Sequence, residues 1–461
     1  MITEQHPARN RAARRAVRGR SRIIRTGTAG LAAAAVVTLA ACGQPAGTPG
    51  SATSGATSPG VAPTSSAAGS PSPGSPAATS SANGTSTASK PSNKPSNKPS
   101  NKPSTKPSSD KPSAQSCSDL AGGLSPDGQI GQLFMAATSS SGMTDGEARQ
   151  LAALNVGSVL LLGNSTAGRS AIADATSSIS RRVGSDHGVQ VLLAADQEGG
   201  KVQRLAGPGF DTVPSAQDQA SLSDDRLRSD ARRWGRQLKR AGITANLAPV
   251  SDVVPTSIGT ANQPIGALQR GYGPDPDVVA RKNVAFIDGM AAGGVATSVK
   301  HFPGLGIVRG NTDFSRDVTD DVTTRHDKRL AGFRAGVRTG VDMVMVSSAV
   351  YTKIDPDRPA TFSRTVLDGM IRDDLGFRGV IISDDLLGKA LDGTAVRRRA
   401  LRFIRAGGDL SIVGQPDDVA PMIDAVRQAA ADDPGLRSRI RDSATRILIM
   451  KARHGLADCT A

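Results

Sequence analysis

Residues 294–304 read Gly294-Val295-Ala296-Thr297-Ser298-Val299-Lys300-His301-Phe302-Pro303-Gly304, and the change of character midway through that stretch decides the fold. Its first half is a short, largely apolar run with the length and β-branched content of a buried strand. A cation, an imidazole and a Pro-Gly turn follow without a spacer. That combination describes the rim of a polar pocket rather than a packing surface. A basic strand end followed by a surface turn would explain one such pair, but the pattern recurs along the chain.

Apolar runs lie near 132–137 and at 156–162, 189–195, 243–250, 295–299, 341–347, 380–382 and 409–413. Between them come amphipathic patterns over 224–241, 277–292, 324–339, 363–375 and 394–406, several followed by the glycine expected at a helix C-terminus. Strand and helix alternating about eight times implies a (β/α)8 TIM-type barrel, with an open doubly wound sheet as the runner-up. A barrel carries its chemistry where its strands end.

Five polar clusters follow the predicted strands. They are Asp196-Gln197-Glu198-Gly199-Gly200 with Arg204, Gln269-Arg270-Gly271-Tyr272-Gly273, Lys300-His301-Phe302-Pro303-Gly304, the run DPDRPATFS at 355–363, and Ser383-Asp384-Asp385-Leu386. In this order, over about residues 124–456, they resemble glycoside hydrolase family 3, particularly its single-domain β-N-acetylglucosaminidases. The resemblance implies that Asp384 is the nucleophile and that Asp196, Arg204, Arg270, Lys300 and His301 hold the terminal sugar. The chemistry agrees. Retaining cleavage needs a carboxylate beside the anomeric carbon, and Asp384 follows the strand-like 380–382. Sugar hydroxyls both donate and accept, so a buried sugar needs such polar partners. Glu198 is read as structural, and Asp385 as the better cap for the next helix.

One departure stands out. The glucosaminidase branch places an Asp-x-His pair in the loop after its Lys-His-Phe-Pro-Gly motif, with the imidazole as general acid/base; here that loop reads Asp313-Phe314-Ser315. A serine hydroxyl is far too weak an acid to replace a group that titrates near neutrality. Asp313, His326 or another loop carboxylate is left as the candidate.

The first quarter of the chain is of another kind. Eight arginines between Arg9 and Arg25 precede a short apolar run that ends Leu39-Ala40-Ala41-Cys42-Gly43. That is the layout of an export signal rather than a spanning helix, and it resembles a bacterial lipobox. Residues 1–41 are therefore expected to be a lipoprotein signal peptide, with Cys42 lipidated and the protein held at the outer face of the cell membrane. Residues 42–116, rich in Ser, Thr, Pro, Ala and Gly and with Lys-Pro-Ser repeated six times, read as a disordered linker. Residues 117–461 read as one barrel domain.

The net charge of +15 is concentrated at that end, because residues 1–116 carry +12 of it. A nearly neutral folded part with 3% aromatic residues argues against nucleic acid as a partner. Of three cysteines, Cys117 and Cys459 bracket the barrel domain, and an extracytoplasmic setting favours a disulfide between them. No metal-ligand spacing occurs, no cofactor is implied, and a monomer is expected. The expected function is an extracytoplasmic, lipid-anchored glycoside hydrolase that removes terminal β-linked N-acetylhexosamine from cell-wall fragments. A carbohydrate-binding lipoprotein with weak or lost catalysis is the alternative, motivated by Ser315. A Schiff-base aldolase using Lys300 fits the other motifs poorly.

Overall fold

The computed structural model describes residues 113–184 and 187–459. The expected signal peptide, Cys42 and nearly all of the expected linker lie outside the described residues. Helix Ala114–Gly123 begins within the last residues read as linker, with Ser113 capping it by accepting from the Ser116 N–H at 3.0 Å.

Eight parallel strands form the core: β1 (Phe134–Ser139), β2 (Ser158–Leu162), β3 (Leu192–Ala195), β4 (Ala245–Asn246), β5 (Ala296–Phe302), β6 (Met343–Val346), β7 (Val380–Ser383) and β8 (Ser411–Val413). Each pairs with its neighbours in chain order, β1 also pairs with β8, and a parallel bridge from Ile382 to Leu410 links β7 to β8. The sheet thus closes into a barrel, as expected, and the doubly wound alternative falls away. Strands enclosed by helices outside and packed side chains inside need apolar residues on both faces, which is why these segments read as continuous apolar runs.

The expected apolar run 243–250 yields only two regular strand residues. Pro249 cannot donate to the ladder, so the pairing continues irregularly, with Lys300 N–H donating to Pro249 O and Ser251 N–H to Lys300 O. The helix expected over 324–339 starts at Ala331 after a tight turn, and the one expected from 363 is a wider-wound π-helix, Thr365–Asp374. Helix Val396–Ala406 ends at Gly407, whose φ of 117° suits glycine.

Helix Asp224–Arg240 shows how the outer ring is attached. Ser223 caps it, and Leu227, Ala231, Trp234 and Leu238 form one buried stripe. Trp234 meets Phe286 of helix Pro276–Ala292, with ring centroids 6.4 Å apart. Helix Ala114–Gly123 lies against helix Pro434–Arg453, and Cys117 and Cys459 are joined as a disulfide across a sequence separation of 342.

Candidate active site

The C-terminal ends of the strands surround a cavity of about 380 Å³. That size is within the usual range for small-molecule sites. All seven residues assigned to the site from the sequence (Asp196, Arg204, Arg270, Lys300, His301, Asp313 and Asp384) line it. Asp196 follows β3, Lys300 and His301 are on β5, and Asp384 follows β7.

After β3 the chain makes a two-stranded hairpin, Gln197–Gly199 with Val202–Gln203. Buried Gln197 holds it shut: its side chain donates to Leu205 O (2.7 Å) and accepts from Leu205 N–H (3.0 Å), while its backbone exchanges bonds with the Asn246 side chain. A Cβ on Gly199, at φ 107°, would lie 2.1 Å from Pro214 O, so the motif needs glycine there. The closed hairpin brings Arg204 N–H to 3.3 Å from Asp196 O, placing both side chains on one cavity wall. Arg204 Nη1 donates to Asn164, while its buried Nε has no partner among the described residues.

At the β5 end, Lys300 Nζ lies 2.6 Å from both Asp196 Oδ1 and Glu198 Oε1. Arg270 grips Glu198 through Nε and Nη2, each at 2.8 Å, and its Nη2 lies 3.4 Å from His301 Nε2. His301 Nδ1 lies 2.8 Å from Asp252 Oδ2, and Asp252 Oδ1 accepts from the His301 and Leu305 backbone N–H groups. A continuous chain of ion pairs and hydrogen bonds therefore runs from Asp196 to Asp252. Burial alone would raise the Glu198 carboxyl, but the charges of Arg270 and Lys300 and their hydrogen bonds outweigh it and hold that carboxyl far below the usual range. Burial alone would lower the Lys300 ammonium, and Asp196 and Glu198 instead raise it. Lys300 is thus a charged sugar-contact candidate rather than an amine poised to attack a carbonyl. The structural reading of Glu198 acquires a specific role, since it is the counter-ion that keeps Lys300 and Arg270 charged and oriented at the cavity floor.

At the β7 end each residue of Ser383-Asp384-Asp385-Leu386 has a separate task. Ser383 Oγ accepts from Ile412 N–H, and Leu386 N–H donates to Ile412 O, tying the segment to β8. Asp385 Oδ1 accepts from Leu387 and Gly414 N–H at 2.9 and 3.0 Å. It therefore fastens a turn rather than capping a helix, a correction to the sequence reading; the helical turn that follows begins only at Lys389. Burial raises the Asp385 carboxyl, assisted by the charge of Asp384 and opposed by those two N–H groups. Asp384 lines the cavity, its carboxylate accepting among the described residues only from Asp385 N–H at 2.9 Å.

The loop after β5 brings Asp313 and Phe314 to the cavity, with Phe314 72% exposed. Ser315 does not line it. Its side chain turns into a neighbouring cavity with Arg309 and Gly310, and a Cβ on Gly310 would lie 3.2 Å from Ser315 Cβ. His326 is exposed and lines neither cavity. The cluster at 355–363 is also elsewhere: Asp355 accepts from Ser363 Oγ at 2.6 Å within a small sheet beyond β6. Asp252 and Asn164 went unnoticed in the sequence. Asp252 had a signal, as an acid directly after an apolar run; Asn164 had none.

Residues 126–450 match the glycosyl hydrolase family 3 N-terminal domain. The chain is 33% identical over 278 residues to a β-hexosaminidase of Stenotrophomonas maltophilia, an alignment covering 57% of this chain and 79% of that protein. Among solved structures, a β-N-acetylhexosaminidase of Beutenbergia cavernae superimposes with TM-score 0.69 at 42% identity, covering 70% of this chain and 98% of that one. A family 3 β-N-acetylglucosaminidase of Paenibacillus gives TM-score 0.65 at 28% identity, covering 72% and 63%. The strand-end cavity, the motifs that build it and these likenesses together place the chain in glycosyl hydrolase family 3, as a hydrolase built on that family's barrel domain.

Proposed function

We propose that this hydrolase removes a terminal β-linked N-acetylhexosamine, N-acetylglucosamine above all, from cell-wall fragments with retention of configuration. The observation that carries the reading is Asp384, a carboxylate at a strand end that lines the cavity and has no ion-pair partner among the described residues. Such a group can attack the anomeric carbon and stabilise the positive charge that develops there. Asp196, Arg204, Arg270, Lys300 and His301, all lining the cavity, hold the sugar hydroxyls and N-acetyl group. The test is hydrolysis of an aryl β-N-acetylglucosaminide followed by NMR. Release of the β-anomer is expected, and release of the α-anomer or no turnover would refute the proposal.

The position of Ser315 favours a second reading, in which the protein binds such sugars without cleaving them. Saturable sugar binding with activated aryl glycosides left intact would establish it.

We further propose that the protein is exported and anchored through lipid on Cys42. The Leu39-Ala40-Ala41-Cys42-Gly43 pattern supports this, as does a disulfide of the kind that persists in oxidising compartments. Replacing Cys42 by Ala should move the protein from membranes to the medium or block its processing. Unchanged membrane association would contradict the anchor.

A further inference from the structure

Asp313 differs from every other carboxylate at the cavity. Asp196 is ion-paired to Lys300, Asp385 is occupied by two backbone N–H groups, and Asp252 is taken up by His301 and Leu305. The Asp313 carboxylate receives neither a hydrogen bond nor an ion pair among the described residues, yet it lines the cavity that holds Asp384. Its backbone is firmly held. Asp313 N–H donates to Asn311 Oδ1 at 2.9 Å, and Phe314 and Ser315 N–H donate to Asn311 O at 3.1 and 2.8 Å. The turn is pinned to the segment following Asp384 by Ala390 N–H donating to Thr312 O (3.0 Å) and Lys389 N–H to Asp313 O (3.3 Å). A free carboxyl on a turn tethered to the nucleophile's own loop is positioned for proton transfer rather than for structure.

We propose that Asp313 itself is the general acid/base of this hydrolase, in place of the imidazole that the family resemblance implies. The inference rests on the hydrolase reading given above. In the first step an Asp384 oxygen bonds to the anomeric carbon as the glycosidic C–O bond breaks. The bond's electron pair goes to the leaving oxygen, which takes the Asp313 proton. In the second step water attacks the same carbon and gives its proton to the Asp313 carboxylate. The ester bond to Asp384 breaks, and its electron pair returns to Asp384.

The competing groups are engaged or distant. Ser315 faces the neighbouring cavity, His326 is outside both, and His301 is held between Asp252 and Arg270. Partial loss of water at the cavity mouth, then the charges of Asp384 and Asp385, raise the Asp313 carboxyl above the ordinary carboxylate range against the opposing His301 and Arg270. Asp313 is exposed at the cavity mouth, so solvent moderates that rise, and Lys389 on the pinning segment is exposed as well. A carboxyl raised above its ordinary value and free of other partners can both give and recover a proton there.

The test compares wild type, Asp313→Ala and Asp313→Asn on N,N′-diacetylchitobiose and on the activated 2,4-dinitrophenyl β-N-acetylglucosaminide. Loss of a general acid is expected to lower kcat/KM for the disaccharide by about 10²–10⁴-fold in both variants, with a far smaller loss for the aryl glycoside. The alkaline limb of the wild-type pH profile should disappear, and azide should accelerate turnover of Asp313→Ala while yielding the β-glycosyl azide. Binding of N-acetylglucosamine should persist in both variants, which shows that they are folded. Equal losses on both substrates, no azide product or an unchanged pH profile would overturn the inference alone. A wild type that cleaves neither substrate would overturn the hydrolase reading and this inference with it.

Discussion

Single charges organise the site, and Glu198 is the one on which most depends. Its carboxylate holds two cations, Lys300 and Arg270, in a nearly dry environment. Removing one partner from a buried ion pair leaves the other uncompensated, at a cost of about 3–5 kcal/mol. Glu198→Gln should therefore lower the melting temperature and, if the proposed sugar site is right, also raise KM, because both freed cations line the strand-end cavity; unchanged melting would show that the network is mainly solvated. The pH dependence has a definite sign. The native carboxyl lies far below its ordinary value of 4.5, so the stability it confers is complete above that value and is lost only as pH falls toward the depressed native one. In Glu198→Gln that acid-side loss should vanish.

At the scale of elements, short connections after strands do the positioning. The hairpin after β3 is closed by Gln197, which is 2% exposed and whose side chain is bonded at both ends to Leu205. Gln197→Ala leaves the buried Leu205 N–H unpaired, at about 1–3 kcal/mol, while Leu205 O keeps its bond from Gln203 Nε2 at 3.1 Å. The expected outcome is a lower melting temperature together with a several-fold loss of kcat/KM, as Asp196 and Arg204 lose their fixed separation. Unaltered kinetics would mean that the hairpin positions neither. This layer was partly legible beforehand. Apolar runs announced all eight strands because a parallel sheet buries both faces, and polar residues directly after them announced Asp196, Lys300, His301 and Asp384. The direction of a loop side chain carries no such periodicity. Nothing in Asp313-Phe314-Ser315 indicated that the third residue turns into another cavity, and although the family resemblance singled out Asp384 from Asp385, nothing indicated that Asp385 would tie a turn to Gly414 rather than cap a helix.

Across the whole molecule the two ends of the barrel have opposite characters. The C-terminal end of the strands gathers ionised groups around a cavity. At the other end Lys451 is buried between the Gln132 side chain and the Gly157 carbonyl, both at 2.7 Å, with its ammonium pushed down by burial to about 7. The disulfide ties the start of the described domain to its end, so the barrel is closed both by hydrogen bonds between β1 and β8 and by a covalent link. The loops that carry Asp313 and Asp384 both project from the strand ends of this closed sheet. The most direct test of the account is to trap the glycosyl-enzyme with a fluorinated N-acetylglucosaminyl donor and locate the label by peptide mass spectrometry. The predicted result is an added mass of one fluorinated sugar on the peptide carrying Asp384, absent from Asp384→Asn. A label on any other carboxylate, or a wild type that turns over substrate with inversion, would contradict it.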